Sequence, residues 1–201
     1  MRWLTLYLRS RRAPLALAVT IIGSATMWTL WSVFSDSREV AVELVVLTVL
    51  LLVTTLTATL GGPDDALERT AALPWPPRRA AHVLAAFLVV AGLPMVTLAT
   101  GARFGPAWLV LRDAAGLIGL TALGAATIGV AKAWFVPLGW TLAATLFPQS
   151  EPAVARILTW QTQPRASTAA AVTAGLLAVG GLVAYAVAGP ARRAPAEAGQ
   201  P

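Results

Sequence analysis

Long apolar runs without a charged side chain recur throughout this 201-residue chain, and they restrict its fold more than any other feature. A helix that crosses the hydrocarbon core of a membrane needs about 20 consecutive apolar residues. Residues 13–34 meet that requirement, as do residues 80–100 and 168–188. Charged residues make up 12% of the chain, about half of their usual share in soluble domains. The pattern therefore predicts an all-α, polytopic membrane protein.

About six transmembrane helices account for these runs. We place them in a single transmembrane domain, followed by a disordered tail at 190–201, at residues 13–34, 44–60, 80–100, 108–131, 133–147 and 168–188. The first run follows the basic residues Arg9, Arg11 and Arg12, as the apolar region of a signal peptide would. It is too long for such a region and lacks a cleavage site between small residues, so we interpret it as a retained span.

The fifth span is the shortest of the six. A helix over residues 133–147 reaches about 22 Å, whereas the hydrocarbon core is about 30 Å thick. Pro137 also interrupts it, and only Lys132 separates it from the fourth span. Residues 133–147 therefore form either a short span or a re-entrant segment that is buried against protein.

Basic residues predict the orientation, because they are more frequent in cytoplasmic loops. With six spans, two thirds of the 15 basic residues lie on the side of the N-terminus, which we expect in the cytoplasm. A five-span arrangement gives the same ratio and leaves the C-terminus open. Aromatic residues favour six spans, since Trp134 would then lie at the inner interface and Phe147 at the outer one. The arginine- and alanine-rich composition indicates a bacterial plasma membrane.

The polar stretch at residues 61–79, GGPDDALERTAALPWPPRR, is predicted to form a short cytoplasmic helix. Pro63 and the three carboxylates after it suit the start of a helix. Pro74 ends that helix and leaves residues 75–77 as a stiff corner. A helix at 63–73 is too short to be stable alone in water. It therefore lies either on the lipid headgroups or against a cytoplasmic partner protein.

A second polar loop, residues 148–167, is expected outside the cell. Pro152 can begin a short helix there, with Trp160 at the level of the headgroups. One face of that helix would carry Val154, Ile157, Leu158 and Gln161. An interfacial helix and a half-inserted, re-entrant hairpin both fit this pattern.

No constellation of residues indicates catalysis, and we expect no enzyme activity in this chain. It lacks the Gly-rich phosphate loop that ends in Lys-Ser/Thr, and it contains no Gly-x-Ser-x-Gly or His-Glu-x-x-His motif. It contains no cysteine, and we expect no metal site. His82, the only histidine, is interpreted as a headgroup or helix contact. The basic residues lie at the ends of apolar runs, where they anchor helices to anionic lipid rather than bind nucleic acid.

Polar residues within the spans are candidates for a substrate path or for helix packing. Arg112 and Asp113 lie near the outer end of the fourth span. Because sequence neighbours do not face each other on a helix, we expect each of them to pair elsewhere or to reach the interface. Thr48, Thr55 and Thr59 share one face of the second span, where their hydroxyls bond to their own helix, join helices or line a path.

Small residues predict close helix packing, within the chain or between subunits. The fourth span contains Gly116, Gly119, Gly124 and Gly129. The last span carries Gly180, Ala184 and Ala188, which are spaced by four.

Short motifs are spread over the chain from about residue 44 to residue 190. They are Asp64-Asp65-Ala66-Leu67-Glu68-Arg69-Thr70-Ala71, Trp75, Pro77-Arg78-Arg79-Ala80-Ala81-His82, Arg112-Asp113-Ala114-Ala115-Gly116-Leu117, Trp134, Pro137, Leu158-Thr159-Trp160 and Gln163-Pro164. Together they resemble the permease subunits of type-2 ATP-binding-cassette exporters, particularly those of actinobacteria.

The resemblance implies that the helix at 63–73 docks on a separate nucleotide-binding subunit, which holds ATP and Mg, while this chain binds no cofactor. The residues implied in coupling are Asp64, Asp65, Leu67, Glu68, Arg69, Arg78 and Arg79. The other implied partners are a second permease subunit, in a homo- or heterodimer, and membrane lipid. Residues 148–165 would correspond to outer re-entrant helices that gate the exit. The alternative function is a non-transporting membrane protein, such as an immunity or assembly factor.

Overall fold

The computed structural model describes residues 2–62, 74–146 and 153–191, with side chains from Thr5 onward, and the structural statements below concern that part of the chain. Its α-helices are α1 (Arg2–Ser10), α2 (Ala13–Phe34), α3 (Val42–Thr57), α4 (Trp75–Val96), α5 (Ala107–Thr127), α6 (Val130–Ala133), α7 (Phe135–Leu146), α8 (Ala153–Leu158) and α9 (Thr168–Ala188). Five of these, namely α2, α3, α4, α5 and α9, are long and apolar enough to cross a membrane. The described part of the chain is helical, as predicted, and its five long apolar helices fit the predicted multi-pass membrane protein.

Helix α1, a separate element before the first span, was not predicted. It is joined to α2 at Arg12, which has a left-handed backbone with φ of 56°. A left-handed residue interrupts the helical path, so α1 and α2 do not form one continuous helix. The predicted first and last spans coincide with α2 and α9.

The corner expected at residues 75–77 is wrong. Helix α4 begins at Trp75, five residues before the predicted start of the third span, and it contains both following prolines in its first turn. The N–H groups of a first turn have no partner within the helix, so proline is tolerated there. Arg78 and Arg79 therefore lie on the first turns of a long helix rather than in a loop.

The fourth and fifth predicted spans end and begin at different residues from those expected. Helix α5 stops at Thr127. Gly129 follows with φ of 86°, a backbone conformation that residues other than glycine rarely adopt. The short helix α6 follows, and then α7 with 12 residues. Helix α7 alone reaches about 18 Å, less than a hydrocarbon core of about 30 Å.

The helices form a bundle with two ends, identified by contacts between distant parts of the chain. At the N-terminal end, a Cβ atom on Gly61 would lie 3.5 Å from Cγ1 of Val130. There too the N–H of Ala191 donates to the Ala125 carbonyl at 2.8 Å. At the opposite end, the connections before α3 and α5 meet, since the N–H of Val40 donates to the Arg103 carbonyl at 3.0 Å.

Helices α5 and α9 run in the same direction, from the opposite end to the N-terminal end. Helix α5 lies at the centre of the bundle and packs against α3, α4 and α9. Gly119 of α5 faces the Leu177 carbonyl and Gly181 of α9, with no room for a Cβ atom at either glycine. Close packing at the predicted glycines of the fourth span is therefore confirmed at Gly119.

The predicted row of small residues on the last span is not the row that packs within this chain. Gly180 and Ala188 are exposed, whereas Ala174, Gly181 and Tyr185 are buried. Spacing by four identifies a helix face, but it does not tell which of two small-residue faces turns toward the neighbouring helix.

Candidate functional site

Arg112 and Asp113 are buried near the start of α5 and form an ion pair with each other. The Arg112 Nε donates to Oδ1 of Asp113 at 3.0 Å, and both side chains are shielded from solvent. The expectation that each would pair elsewhere is wrong for Asp113, whereas Arg112 also bonds to a distant segment. The arginine side chain is long enough for its Nε to reach the carboxylate of the next residue on the same helix.

The remaining donors of Arg112 hold a distant segment of the chain. Nη1 donates to the Gln163 carbonyl at 2.9 Å, and Nη2 donates to the Gln161 carbonyl at 2.8 Å. Both carbonyls belong to an irregular segment without helical partners for them. Buried backbone carbonyls need a donor, and the planar guanidinium supplies two in a fixed fork. Arg112 therefore fixes this segment in place.

Side chains from the same segment continue the network toward α7. Gln161 Nε2 donates to the Thr141 hydroxyl at 3.1 Å. Within the segment, Gln163 Nε2 lies 2.9 Å from the Thr159 hydroxyl. We call the set Arg112, Asp113, Thr141, Gln161 and Gln163 the arginine clamp.

Trp160 lies inside the bundle, and its predicted position at the headgroups is wrong. It is fully buried, with its ring against Gly116 of α5, where a Cβ atom would lie 2.7 Å from Cζ2. Helix α8 ends at Leu158, so Gln161 does not lie on the predicted helix face. The chain from Thr159 to Gln163 is instead inserted between α5 and α7.

Two polar atoms near the clamp have no hydrogen-bond partner among the described residues. They are Oδ2 of Asp113 and Nε1 of Trp160, both buried. A buried polar group without a partner costs about 1–3 kcal/mol. The clamp therefore holds an ionisable side chain in a costly environment, which makes it a candidate functional site.

A second buried arginine lies at the N-terminal end of the bundle. Arg11 donates through Nη1 to the Leu60 carbonyl at 3.0 Å, and the Tyr185 hydroxyl donates to the same carbonyl. The Arg11 guanidinium also lies 4.9 Å from the centre of the Tyr7 ring. Side chains from the α1–α2 junction and from α9 thus satisfy the Leu60 carbonyl, at the end of the 3₁₀ turn Ala58–Leu60 that follows α3. We call Arg11, Leu60 and Tyr185 the carbonyl cap.

His82 lies beside the carbonyl cap and joins helices. Its Nε2 is 2.9 Å from the Thr59 hydroxyl, and the Tyr7 ring meets it edge-on at a centroid distance of 6.0 Å. The helix contact expected for this histidine is present. His82 connects α4 to α1 and to the 3₁₀ turn that follows α3.

Arg78 and Arg79 are the two predicted coupling residues that the structure describes. Arg79 is buried. Its guanidinium packs against the end of α9, where a Cβ atom built on Gly189 would lie 2.6 Å from the guanidinium carbon. Gly189 has φ of 71°, so the backbone conformation also favours glycine there. The Arg78 guanidinium lies 5.8 Å from the Trp75 ring. The other predicted coupling residues, Asp64, Asp65, Leu67, Glu68 and Arg69, lie outside the described residues.

The threonine hydroxyls of the second span bond to backbone carbonyls earlier in the same segment, which is one of the three roles predicted for them. The hydroxyls of Thr48, Thr55 and Thr59 donate to carbonyls three or four residues earlier at 2.7, 2.8 and 2.7 Å. Thr48 and Thr59 are buried between helices. Nothing in these contacts favours a substrate path.

Several residues of both clusters were not identified from the sequence. Arg11 was grouped with exposed basic neighbours, and Tyr185 was hidden in an apolar run. Gln161 and Gln163 bind Arg112 through their backbone carbonyls, which carry no sequence signal. The described residues contain no group of three His, Asp or Glu side chains placed to hold a metal ion.

Comparisons with protein-family models, with curated proteins and with solved structures found no match to this chain.

Proposed function

We propose that this chain is the permease subunit of an ATP-binding-cassette exporter in the bacterial plasma membrane, with ATP hydrolysed by a separate subunit. The observation that carries the proposal is the anchoring of the polar loop between α3 and α4 at both of its ends. Leu60, just before the loop, is held by Arg11 and Tyr185, and Arg79, just after it, is buried against Gly189.

Such anchoring suits mechanical coupling. A displaced loop with free ends would absorb the movement in its own backbone. With both ends fixed by buried contacts, a displacement reaches α3 and α4 together, and through Tyr185 and Gly189 it also reaches α9. The acidic and basic residues of the sequence from Asp64 to Arg69 would bind the ATPase subunit, and Arg78 and Arg79 would transmit its movement.

The bundle topology supports six crossings. The first and last described residues lie at the same end of the bundle, where six crossings would place them. Residues 130–146 run from that end toward the opposite one and reach about 25 Å along α6 and α7, enough for a short span. With the N-terminus in the cytoplasm, the polar loop faces the cytoplasm and the arginine clamp lies toward the outer side.

The arginine clamp would act at the exit of the transport path. It keeps the segment from Thr159 to Gln163 inserted between α5 and α7 through hydrogen bonds that can be exchanged for water. In a dimer with a second permease subunit, release of these inserted segments would open the outer side when the ATPase subunits close.

Purification from native membranes in mild detergent tests the proposal. We expect an ATP-binding-cassette ATPase to elute with the chain, and a cysteine introduced by Ala66→Cys to resist labelling from outside intact cells. A matched cysteine at exposed Ser37 should be labelled. Labelling of position 66 from outside would invert the sidedness and overturn the proposal, as would a chain that elutes without any ATPase.

A further inference from the structure

A groove with a volume of about 490 Å³ opens on the side of the bundle between α7, α8 and α9. Its walls are almost entirely apolar and include Trp140, Ile157, Val172 and Leu177. The one polar atom of the Trp140 ring, Nε1, is directed to the Leu158 carbonyl at 3.0 Å. The groove therefore offers hardly any hydrogen-bonding groups to an occupant and suits a hydrocarbon chain.

The length of the groove corresponds to one leaflet of a bilayer. Along α9 it extends from Thr168 to Leu177, a rise of about 14 Å, which is close to half of a hydrocarbon core of about 30 Å. It begins where α9 begins, at the opposite end of the bundle. A transmembrane helix of a second copy would need a groove that runs the whole thickness of the core.

A cationic side chain stands at the head of the groove. Arg165 is exposed in the turn that closes with the N–H of Ser167 donating to the Pro164 carbonyl at 2.9 Å, directly before Thr168. An anionic group at this level would have the Arg165 guanidinium beside it.

The described carboxylates of this end of the bundle lie elsewhere in the fold. Asp113 is paired with Arg112 inside the bundle, and Asp36, Glu39 and Glu43 belong to the connection between α2 and α3 and the first turn of α3. Glu151 lies outside the described residues. The described charge at the head of the groove is therefore positive.

We propose that the groove binds one acyl chain of an anionic phospholipid, with the phosphate of its headgroup beside Arg165. The apolar walls select the acyl chain, the length restricts it to one leaflet, and Arg165 selects the negative headgroup. The inference rests on the membrane location of the bundle and not on the proposed exporter function.

Lipid selectivity of the full chain, reconstituted in phosphatidylcholine vesicles, tests this site. The probes are trace phosphatidylglycerol and phosphatidylcholine with a nitroxide on the acyl chain, and spin resonance gives the motionally restricted fraction of each. We expect phosphatidylglycerol to be preferred. Arg165→Gln should lower that preference about fivefold, because one basic residue near a lipid headgroup contributes about that factor. Arg38→Gln, an exposed arginine of the same end, should leave it unchanged.

A larger side chain in the groove wall should exclude the lipid acyl chain. Ala169→Leu adds bulk to the groove wall, whereas Ala188→Leu makes the same change at an exposed position of the same helix outside it. We expect only Ala169→Leu to abolish the preference for phosphatidylglycerol. An unchanged preference in Ala169→Leu would overturn the proposal, and so would an equal loss in Arg38→Gln and Arg165→Gln. If Ala169→Leu instead altered the oligomeric state and left lipid selectivity intact, the groove would belong to a second copy. If Ala169→Leu fails to fold, the comparison of Arg165→Gln with Arg38→Gln decides the outcome.

Discussion

Gly119 of α5 and Gly181 of α9 meet backbone to backbone, and neither position can accept even a methyl group. Helices approach this closely only where small residues face each other, and in a membrane such contact replaces the hydrophobic drive that is absent between apolar helices and lipid. The contact brings two parallel helices of the bundle together along their middle turns.

Gly181→Ala should destabilise the bundle. The added methyl group would overlap the Gly119 carbonyl, and overpacking of this kind costs about 1–3 kcal/mol. Gly180→Ala is the matched control, since its Cβ atom would have no neighbour within 4 Å. We expect that control to be neutral or slightly stabilising in unfolding measured in mixed detergent micelles. Equal free energies of unfolding for the two variants would contradict the packing of α5 on α9.

Arg112→Gln should release the inserted segment and leave Asp113 as a buried charge without its counterion. Breaking a buried ion pair costs about 3–5 kcal/mol. The double variant Arg112→Gln/Asp113→Asn should recover part of that loss, because the uncompensated charge is removed. Release is measured as faster trypsin cleavage after Arg156 or Arg165, which flank the segment. If cleavage stays at the wild-type rate in Arg112→Gln, the clamp does not hold the segment.

Arg11→Gln should weaken the carbonyl cap, whereas Arg12→Gly should not. Hydrogen bonds from a charged donor contribute about 1.5–3 kcal/mol, and Arg11 supplies one to Leu60 in a buried site. Arg12 is exposed and left-handed, so glycine there relieves backbone strain of about 1 kcal/mol. Thermal unfolding in detergent measures both. A smaller loss of thermal stability in Arg11→Gln than in Arg12→Gly would show that the carbonyl cap does not stabilise the bundle.

Reversal of charge in the polar loop, Glu68→Arg with Arg69→Glu, should abolish transport-coupled ATPase activity of the complex while the chain still inserts in the membrane. Both residues are predicted to contact the ATPase subunit, so the change acts on the interface and not on the bundle. Arg9→Gln, an exposed basic residue on α1, is the control. Unchanged coupling in the double variant would count against this loop as the docking segment.

The elements that could be predicted from the sequence are those with local signals. Helices α2 and α9 follow from unbroken apolar runs, and their bounds coincide with the prediction. The start of α4 was missed because prolines at 76 and 77 suggested a corner, although the first turn of a helix accepts them. Prolines fit both the loop before a helix and the first turn of that helix, so they do not fix the residue at which the helix begins.

The clusters depended on contacts that no local pattern encodes. Trp160 was placed at the interface by the usual preference of indole rings, yet Gly116, in another helix, makes room for it in the interior. Arg11 and Arg112 each bond to backbone carbonyls about 50 residues away, and a carbonyl acceptor is common to every residue type. Residue identity therefore identified Arg112 as a candidate without predicting its partners.

The fit of Trp160 against Gly116 means that the two positions cannot vary independently. Alanine at 116 would push the indole out of its seat, and a smaller ring at 160 would leave a void unless residue 116 gained volume. Related sequences should therefore exchange these residues as a pair, so that a larger side chain at 116 accompanies a smaller one at 160. Gly116→Ala combined with Trp160→Phe would be the first compensated step along that route.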